Sequence, residues 1–381
     1  MGQSTSPSRY AVLDGLRGMA AMVVVFVHFR ALYHLPDSDQ GYLAVDLFFA
    51  MSGFVIANAY DRKLLTGKLN WQQYAVLRLF RLYPLYCAGL ALGVIAMAYR
   101  LPTSDWSEIA IAIPTGLLMM PTHAPLRTFY PIAWKVSFLY PLDFPAWSLF
   151  FELIASLAYG LFYRHLTTRL LVFIMCASGV ALGIAAYTVG ICNGFNWHSF
   201  YVGFARLGYA FSAGLLLYRL KQPESRRESR TAVVIVALAF GLLVVQWPEH
   251  QRTVDLLLAL VGFPTIVWAA SRVEPPAGLL PLFAFSGTIS YAVYVLHVPF
   301  GFILEDLSAR SHFLHAPSDA SAVMLFPGIV LVAWLVDRYY DAPVRRALLQ
   351  RSRAWLAPLP KRVDVKPHDV SSGQMPAGTD V

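Results

Sequence analysis

The chain has 381 residues, of which 57% are hydrophobic and 14% charged, with a net charge of +8. A soluble domain carries about 25% charged residues, so this composition and a mean hydropathy of +0.54 describe an integral membrane protein. Apolar runs recur from residue 10 to about 340, which leaves no room for a separate soluble domain, and the positive charges sit in short loops between the runs. There they set topology and meet anionic lipid, so the charge does not argue for nucleic acid. Cys87, Cys176 and Cys192 lie in or beside apolar segments without metal-ligand spacing; they read as packing residues, with no disulfide framework and no metal site.

Residues 1–8 are polar and read as a disordered N-terminus. Eleven apolar segments follow, at 10–33, 42–60, 82–99, 109–120, 146–163, 170–190, 199–218, 231–247, 254–270, 280–304 and 322–337. The first is better read as a span than as a cleavable leader, because it carries Arg17 and His28. These two are eleven residues apart, so a helix puts them on one face, about 16 Å apart along the axis. Ionisable groups at that depth are costly to bury and point to function. The bland alternative has Arg17 reaching to the membrane surface and His28 bonding a neighbouring helix.

Asp46 opens the second segment, followed by Phe48, Phe49, Ser52 and Gly53; it reads either as a functional acid or as a helix-dipole partner. Arg78 and Arg81 stand three apart on the approach to the third segment, as anion ligands or as topological anchors. The fourth segment, 109–120, is short for a span and contains Pro114. Glu152 lies inside the fifth, where a lone carboxylate must be neutral, paired or facing water. His297 falls in the outer half of 280–304. Two histidines and a glutamate in one membrane core make an acid–base set; without HxxxH or HxxE spacing a zinc site is the weaker reading.

Loop charge sets the topology. Arg62, Lys63, Lys68, Arg78 and Arg81 mark one cytoplasmic loop, Arg219, Lys221, Arg226, Arg227 and Arg230 a second, and the 338–362 tail a third. Crossings between these anchors must be even in number. That gives ten spanning helices with 109–120 re-entrant or interfacial, and both termini cytoplasmic; a short crossing within 129–142 would restore parity equally well. No internal repeat supports an inverted-repeat transporter.

Several segments in order resemble the membrane-bound acyltransferase-3 family, which includes bacterial O-acetyltransferases of surface polysaccharides. They are LDGLRGMAAMVVVFVHF at 13–29, VDLFFAMSGFVIA at 45–57, RLFRLYPLY at 78–86, PAWSLFFEL at 145–153, ISYAVYVLHVPF at 289–300 and YYDAPVRR at 339–346. Asp341 stands where the family more often has Glu, and Phe151 interrupts its Glu-rich run before Glu152.

The resemblance implies an all-α acyltransferase domain over 9–346 in the bacterial inner membrane; the cytoplasmic tail over 347–381 is basic at first and then, over the polar stretch 363–381 with its Pro, Ser and Gly, reads as disordered. It implies transfer of an acyl group, most often acetyl, from acyl-CoA (acetyl-CoA) to a carbohydrate hydroxyl, with membrane lipid and polysaccharide-assembly proteins as further partners. On that reading Arg78, Arg81 and Arg17 meet the CoA phosphates, and His28 is the general base. Ser52, the backbone at Gly53, or Arg17 stabilises the oxyanion. Glu152 or Asp46 orients His28 or holds acceptor hydroxyls, and His297 and Trp147 lie on the acceptor side. Direct transfer and an acyl-histidine intermediate both stay open. The competing class is a transporter or glycan flippase that uses the same buried charges as a relay.

Overall fold

The computed structural model describes residues 10–33, 40–123, 138–221, 226–247, 249–310, 317–352 and 355. In chain order the helices are α1 (Ala11–Phe29), α2 (Ala44–Leu65), α3 (Trp71–Arg100), α4 (Trp106–Leu117), α5 (Ala146–Phe162), α6 (Thr168–Thr188) and α7 (Phe200–Arg219). There follow α8 (Thr231–Val244), α9 (Gln251–Leu257), α10 (Phe263–Ala270), α11 (Leu280–Arg310), α12 (Pro317–Val336) and α13 (Ala342–Arg351). Among the described residues eight helical stretches are long and apolar enough to cross a membrane, and the shorter apolar helices α5 and α8 bring the set to ten. This is an all-α, multi-pass membrane protein. Helix α4 has twelve residues, about 18 Å of rise, which is short of a bilayer.

The third span differs from its apolar pattern. It begins at Trp71, not at 82, because Asn70 and Gln73 form a reciprocal cap. The Asn70 side-chain oxygen accepts from Gln73 N–H at 2.8 Å, and Asn70 N–H donates back to Gln73 Oε1 at 3.1 Å. Arg78 and Arg81 are therefore helical residues inside α3, not loop residues before it. The alternative crossing at 129–142 falls partly outside the described residues. Its described part, 138–142, forms no helix, and Phe138 instead bridges Asn196. The ends expected to be disordered, 1–8 and 363–381, also lie outside the described residues.

Five helices close a ring: α1 packs on α2, α2 on α5, α5 on α3, α3 on α11, and α11 back on α1. Helix α11 is its spine. Residues 289–299 are buried without interruption, as an apolar helix surrounded by others must be. Outside the ring, α7 lies along α2 with α6 behind it, and α12 covers α11. The α2–α7 seam is close because two glycines allow it. A Cβ on Gly53 would collide with the Phe211 carbonyl, and one on Gly214 with the Ala50 carbonyl.

An ion pair locks the same seam. Arg206 on α7 and Asp46 on α2 are each 1% exposed, and the Arg206 guanidinium meets Asp46 Oδ2 at 2.6 Å. The remaining Arg206 donors reach the carbonyls of Tyr42 at 3.0 Å and Asn193 at 3.2 Å. Asp46 is thus bound by an arginine the sequence reading did not single out. Arg206→Ala leaves Asp46 charged and buried without a partner, and is expected to lower stability by about 3–5 kcal/mol. Unfolding in detergent measures this, and combining Arg206→Met with Asp46→Leu should recover most of the loss. An Arg206→Ala protein as stable as wild type contradicts the pairing.

Candidate active site

The singled-out polar residues that face the ring form three rungs along its axis. The outer rung is a pair of histidines. His297 is fully buried and His28 partly so. His297 Nδ1 lies 2.8 Å from the Tyr294 carbonyl and 3.2 Å from that of Val293. A carbonyl only accepts, so Nδ1 carries the proton of neutral His297 and Nε2 its lone pair. That Nε2 is 2.8 Å from His28 Nδ1. With both rings neutral, the contact to His297 assigns the donating proton to His28 Nδ1 and so puts the His28 lone pair on Nε2. The Phe144 ring packs edge-on against His28 at 5.5 Å and holds its plane.

The middle rung joins α2, α3 and α5. Ser52 donates to Glu152 Oε1 at 2.7 Å, and Arg78 reaches the same oxygen at 3.1 Å. Arg78 Nε also donates to Ser156 Oγ at 2.8 Å, and Ser156 pairs with the Tyr74 hydroxyl at 2.7 Å. Glu152 is therefore paired, which is how a carboxylate is tolerated at this depth. Above it, Ser148 and Tyr294 share a hydrogen bond of 2.6 Å, one turn from Glu152 and one turn from His297. Phe48 packs on the Tyr294 ring at 5.4 Å, inside the ring of helices and not against lipid.

The inner rung is cationic. Arg81 lies over the Tyr291 ring at 5.7 Å and has Arg345, Arg17 and Asp341 as its charged neighbours. Arg345 in turn pairs with Asp341 at 2.8 Å. The structure separates the two arginines of α3: Arg78 is committed to Glu152 and Ser156, whereas Arg81 faces the other cations.

Three expected site residues sit elsewhere. Asp46 belongs to the α2–α7 seam, where Gly53 also turns its α-carbon. Trp147 is 5% exposed and carries the Arg206 guanidinium over its ring at 5.5 Å. Arg206, the Ser148–Tyr294 pair and Asp143 do not stand out among the candidate residues of the sequence. Arg206 had a signal: it is a charge inside the apolar segment 199–218. Asp143 had none, because it lies between apolar segments and reads as a loop residue.

Asp143 is 1% exposed, with neither carboxylate oxygen partnered among the described residues. Burial pushes its carboxyl well above the usual carboxylate range, so it stays protonated as the pH rises. In acid both folded and unfolded chains hold this proton. Above the unfolded pKa only the unfolded chain releases it, so native stability falls until the folded pKa is passed. Asp143→Asn removes the penalty and is expected to raise thermal stability at neutral pH while changing little in acid. Destabilisation by Asp143→Asn at neutral pH contradicts a neutral Asp143.

With this geometry in view, comparison with known proteins is informative. An acyltransferase domain model of the Acyl_transf_3 family matches residues 10–338. "Protein 2 in picA locus" of Rhizobium radiobacter is 38% identical over 198 residues, covering 49% of this chain and 98% of that protein. "Acyltransferase MdmB" of Streptomyces mycarofaciens is 25% identical over 92% of this chain and 96% of its own length. "Peptidoglycan O-acetyltransferase OatA" of Listeria monocytogenes is 25% identical over 91% of this chain, which covers 58% of that longer protein. No solved structure matches. The chain belongs to the acyltransferase-3 family and is a membrane-embedded O-acyltransferase.

Proposed function

We propose that the protein carries an acyl group, acetyl in the simplest case, from cytoplasmic acyl-CoA to a hydroxyl of a surface or lipid-linked polysaccharide. The protein sits in the bacterial inner membrane with both termini in the cytoplasm. The observation that carries the reading is the His28–His297 pair, which puts the His28 lone pair on Nε2 at the outer end of a ring whose inner end is cationic. A carbohydrate acceptor is in keeping with the peptidoglycan O-acetyltransferase among the relatives.

The donor's phosphates meet Arg81 and Arg17, where guanidinium groups make bidentate contacts. Arg78, held by Glu152, lends its charge to the route without being free to follow a ligand. The thin pantetheine arm then brings the thioester up the ring, so the nucleotide need not enter the apolar core. At the outer rung His28 Nε2 takes the proton of the acceptor hydroxyl. The hydroxyl oxygen bonds to the thioester carbonyl carbon, and the carbon–sulfur bond breaks. The proton on His28 passes to the departing thiolate, so free CoA leaves as the thiol.

Arg17 is about 16 Å below His28 along α1, more than an extended arginine side chain spans, so it cannot serve the oxyanion at that base. Ser148 or Tyr294, one turn from His297, is the better placed donor. His297 acts through His28: it accepts the Nδ1 proton and thereby fixes the tautomer that presents Nε2.

His28→Ala is expected to insert and fold normally while turnover falls about 10²–10⁴-fold at saturating donor. Release of CoA thiol by purified protein measures it, and near wild-type turnover would make His28 a structural residue. His297→Ala should also lower kcat with the donor KM unchanged. His297→Gln, whose amide oxygen can accept the same proton, should recover part of it. Equal loss in both His297 variants contradicts the tautomer-fixing role.

A further inference from the structure

Between the end of α2, the α5–α6 turn and the end of α7 lies an open cleft of about 650 Å³, a size suited to a small-molecule ligand. Its wall comes from Tyr10, the end of α2, the α5–α6 turn and the end of α7. Three cations line it, Arg164, Arg219 and Lys221, against one carboxylate, Asp61. Three tyrosines, Tyr10, Tyr163 and Tyr218, complete the wall. Such a lining selects an anion with a flat or hydroxyl-rich body.

The cations divide by what they already do. Arg219 is spent, paired with Asp61 at 3.3 Å and bonded to the Leu166 carbonyl. Lys221 donates to the Tyr10 hydroxyl at 2.5 Å and stands over the same ring at 4.8 Å, and among the described residues no second acceptor holds its ammonium. Arg164 is exposed: its Nε donates to the Tyr163 hydroxyl at 2.8 Å and its guanidinium lies over the Tyr163 ring at 5.5 Å, while among the described residues its terminal nitrogens carry no hydrogen bond. The cavity also touches the active-site ladder. Asp61 accepts from the Tyr159 hydroxyl at 2.7 Å, and the Tyr159 ring lies 6.0 Å from that of Tyr74, whose hydroxyl bonds the Ser156 that holds Arg78.

We propose that this cavity binds a phosphate-bearing anion, with Arg164 and Lys221 as phosphate ligands and Tyr163 and Tyr218 as walls for its body. That the anion comes from the cytoplasmic side rests on the orientation given under the proposed function. Two sources share this chemistry: the headgroup of an anionic inner-leaflet lipid, and a free nucleotide other than the donor, whose own phosphates lie at Arg81 and Arg17. In either case a ligand seated here sets the α5–α6 turn against α2 and α7, and through Tyr159 and Tyr74 it bears on Arg78.

The test uses the full chain, purified in detergent, with adenosine 3′,5′-bisphosphate as the nucleotide probe in calorimetry. A second arm uses discs of phosphatidylcholine with or without phosphatidylglycerol, read by thermal unfolding. The Arg164→Ala/Lys221→Ala double variant is compared with Arg169→Ala, an exposed arginine that does not line the cavity. Bisphosphate binding weakened at least about tenfold in the double variant, but not in Arg169→Ala, assigns the site to a free nucleotide. A phosphatidylglycerol-dependent stabilisation lost only in the double variant assigns it to lipid. If neither ligand's effect depends on Arg164 and Lys221, the proposal is overturned. Thioester consumption by the same wild-type preparation is recorded in parallel. Transfer without ligand dependence sinks this site and leaves the proposed function standing; ligand dependence without transfer does the reverse.

Discussion

The pairing of Glu152 with Arg78 is the contact on which the rest of the arrangement depends. A carboxylate and a guanidinium inside a bilayer are each prohibitive alone and tolerable together when their remaining donors and acceptors are filled. Here Ser52 adds a second donor to Glu152 Oε1 and Ser156 accepts from Arg78 Nε, and in doing so they bind α2, α3 and α5 to one another. A paired carboxylate and guanidinium thereby stand inside the ring. The same rule explains the second buried pair. Arg206 and Asp46 fasten α7 to α2 on the outside of the ring, where no substrate is needed to justify them.

A membrane interior also imposes an order along the axis. On the proposed reading a donor with several phosphates is confined to the cytoplasmic surface, and a polysaccharide acceptor to the other. Only the thin thioester-bearing arm can travel between them at low cost. The ring matches this division: cations at the inner end, a neutral histidine pair at the outer end, and between them a carboxylate whose charge is already answered. In the proposed reaction proton movement stays local, between hydroxyl, His28 and thiolate. No charge has to cross the membrane, which is the physical difference between this chemistry and a proton-driven transporter.

Much of this was legible in the sequence because hydrocarbon makes charge conspicuous. Arg17, His28, Arg78, Glu152 and His297 each interrupt an apolar run or stand at its edge, and the helices that carry them all belong to the ring. What the sequence could not supply was partnership across the chain. His28 and His297 are 269 residues apart, and nothing in either segment announces that Nδ1 of one faces Nε2 of the other. Asp46 looked like a site residue because Arg206, the side chain that neutralises it, is 160 positions away. Gly53 looked like part of an oxyanion site because a motif does not say which face of a helix its glycine turns outward. The start of α3 was misjudged for a local reason. The stretch from Trp71 to Arg81 is polar enough to read as a loop, and the cap at Asn70 carries the helix through it.

The central claim is that chemistry crosses the membrane while CoA does not. The most direct measurement places acetyl-labelled acetyl-CoA inside sealed proteoliposomes holding the purified protein and a polysaccharide acceptor outside. The account predicts label on the external glycan, stoichiometric free CoA thiol retained inside, and neither product with His28→Ala protein. Label reaching the glycan only when donor and acceptor share one compartment, or intact acetyl-CoA appearing outside, would contradict it.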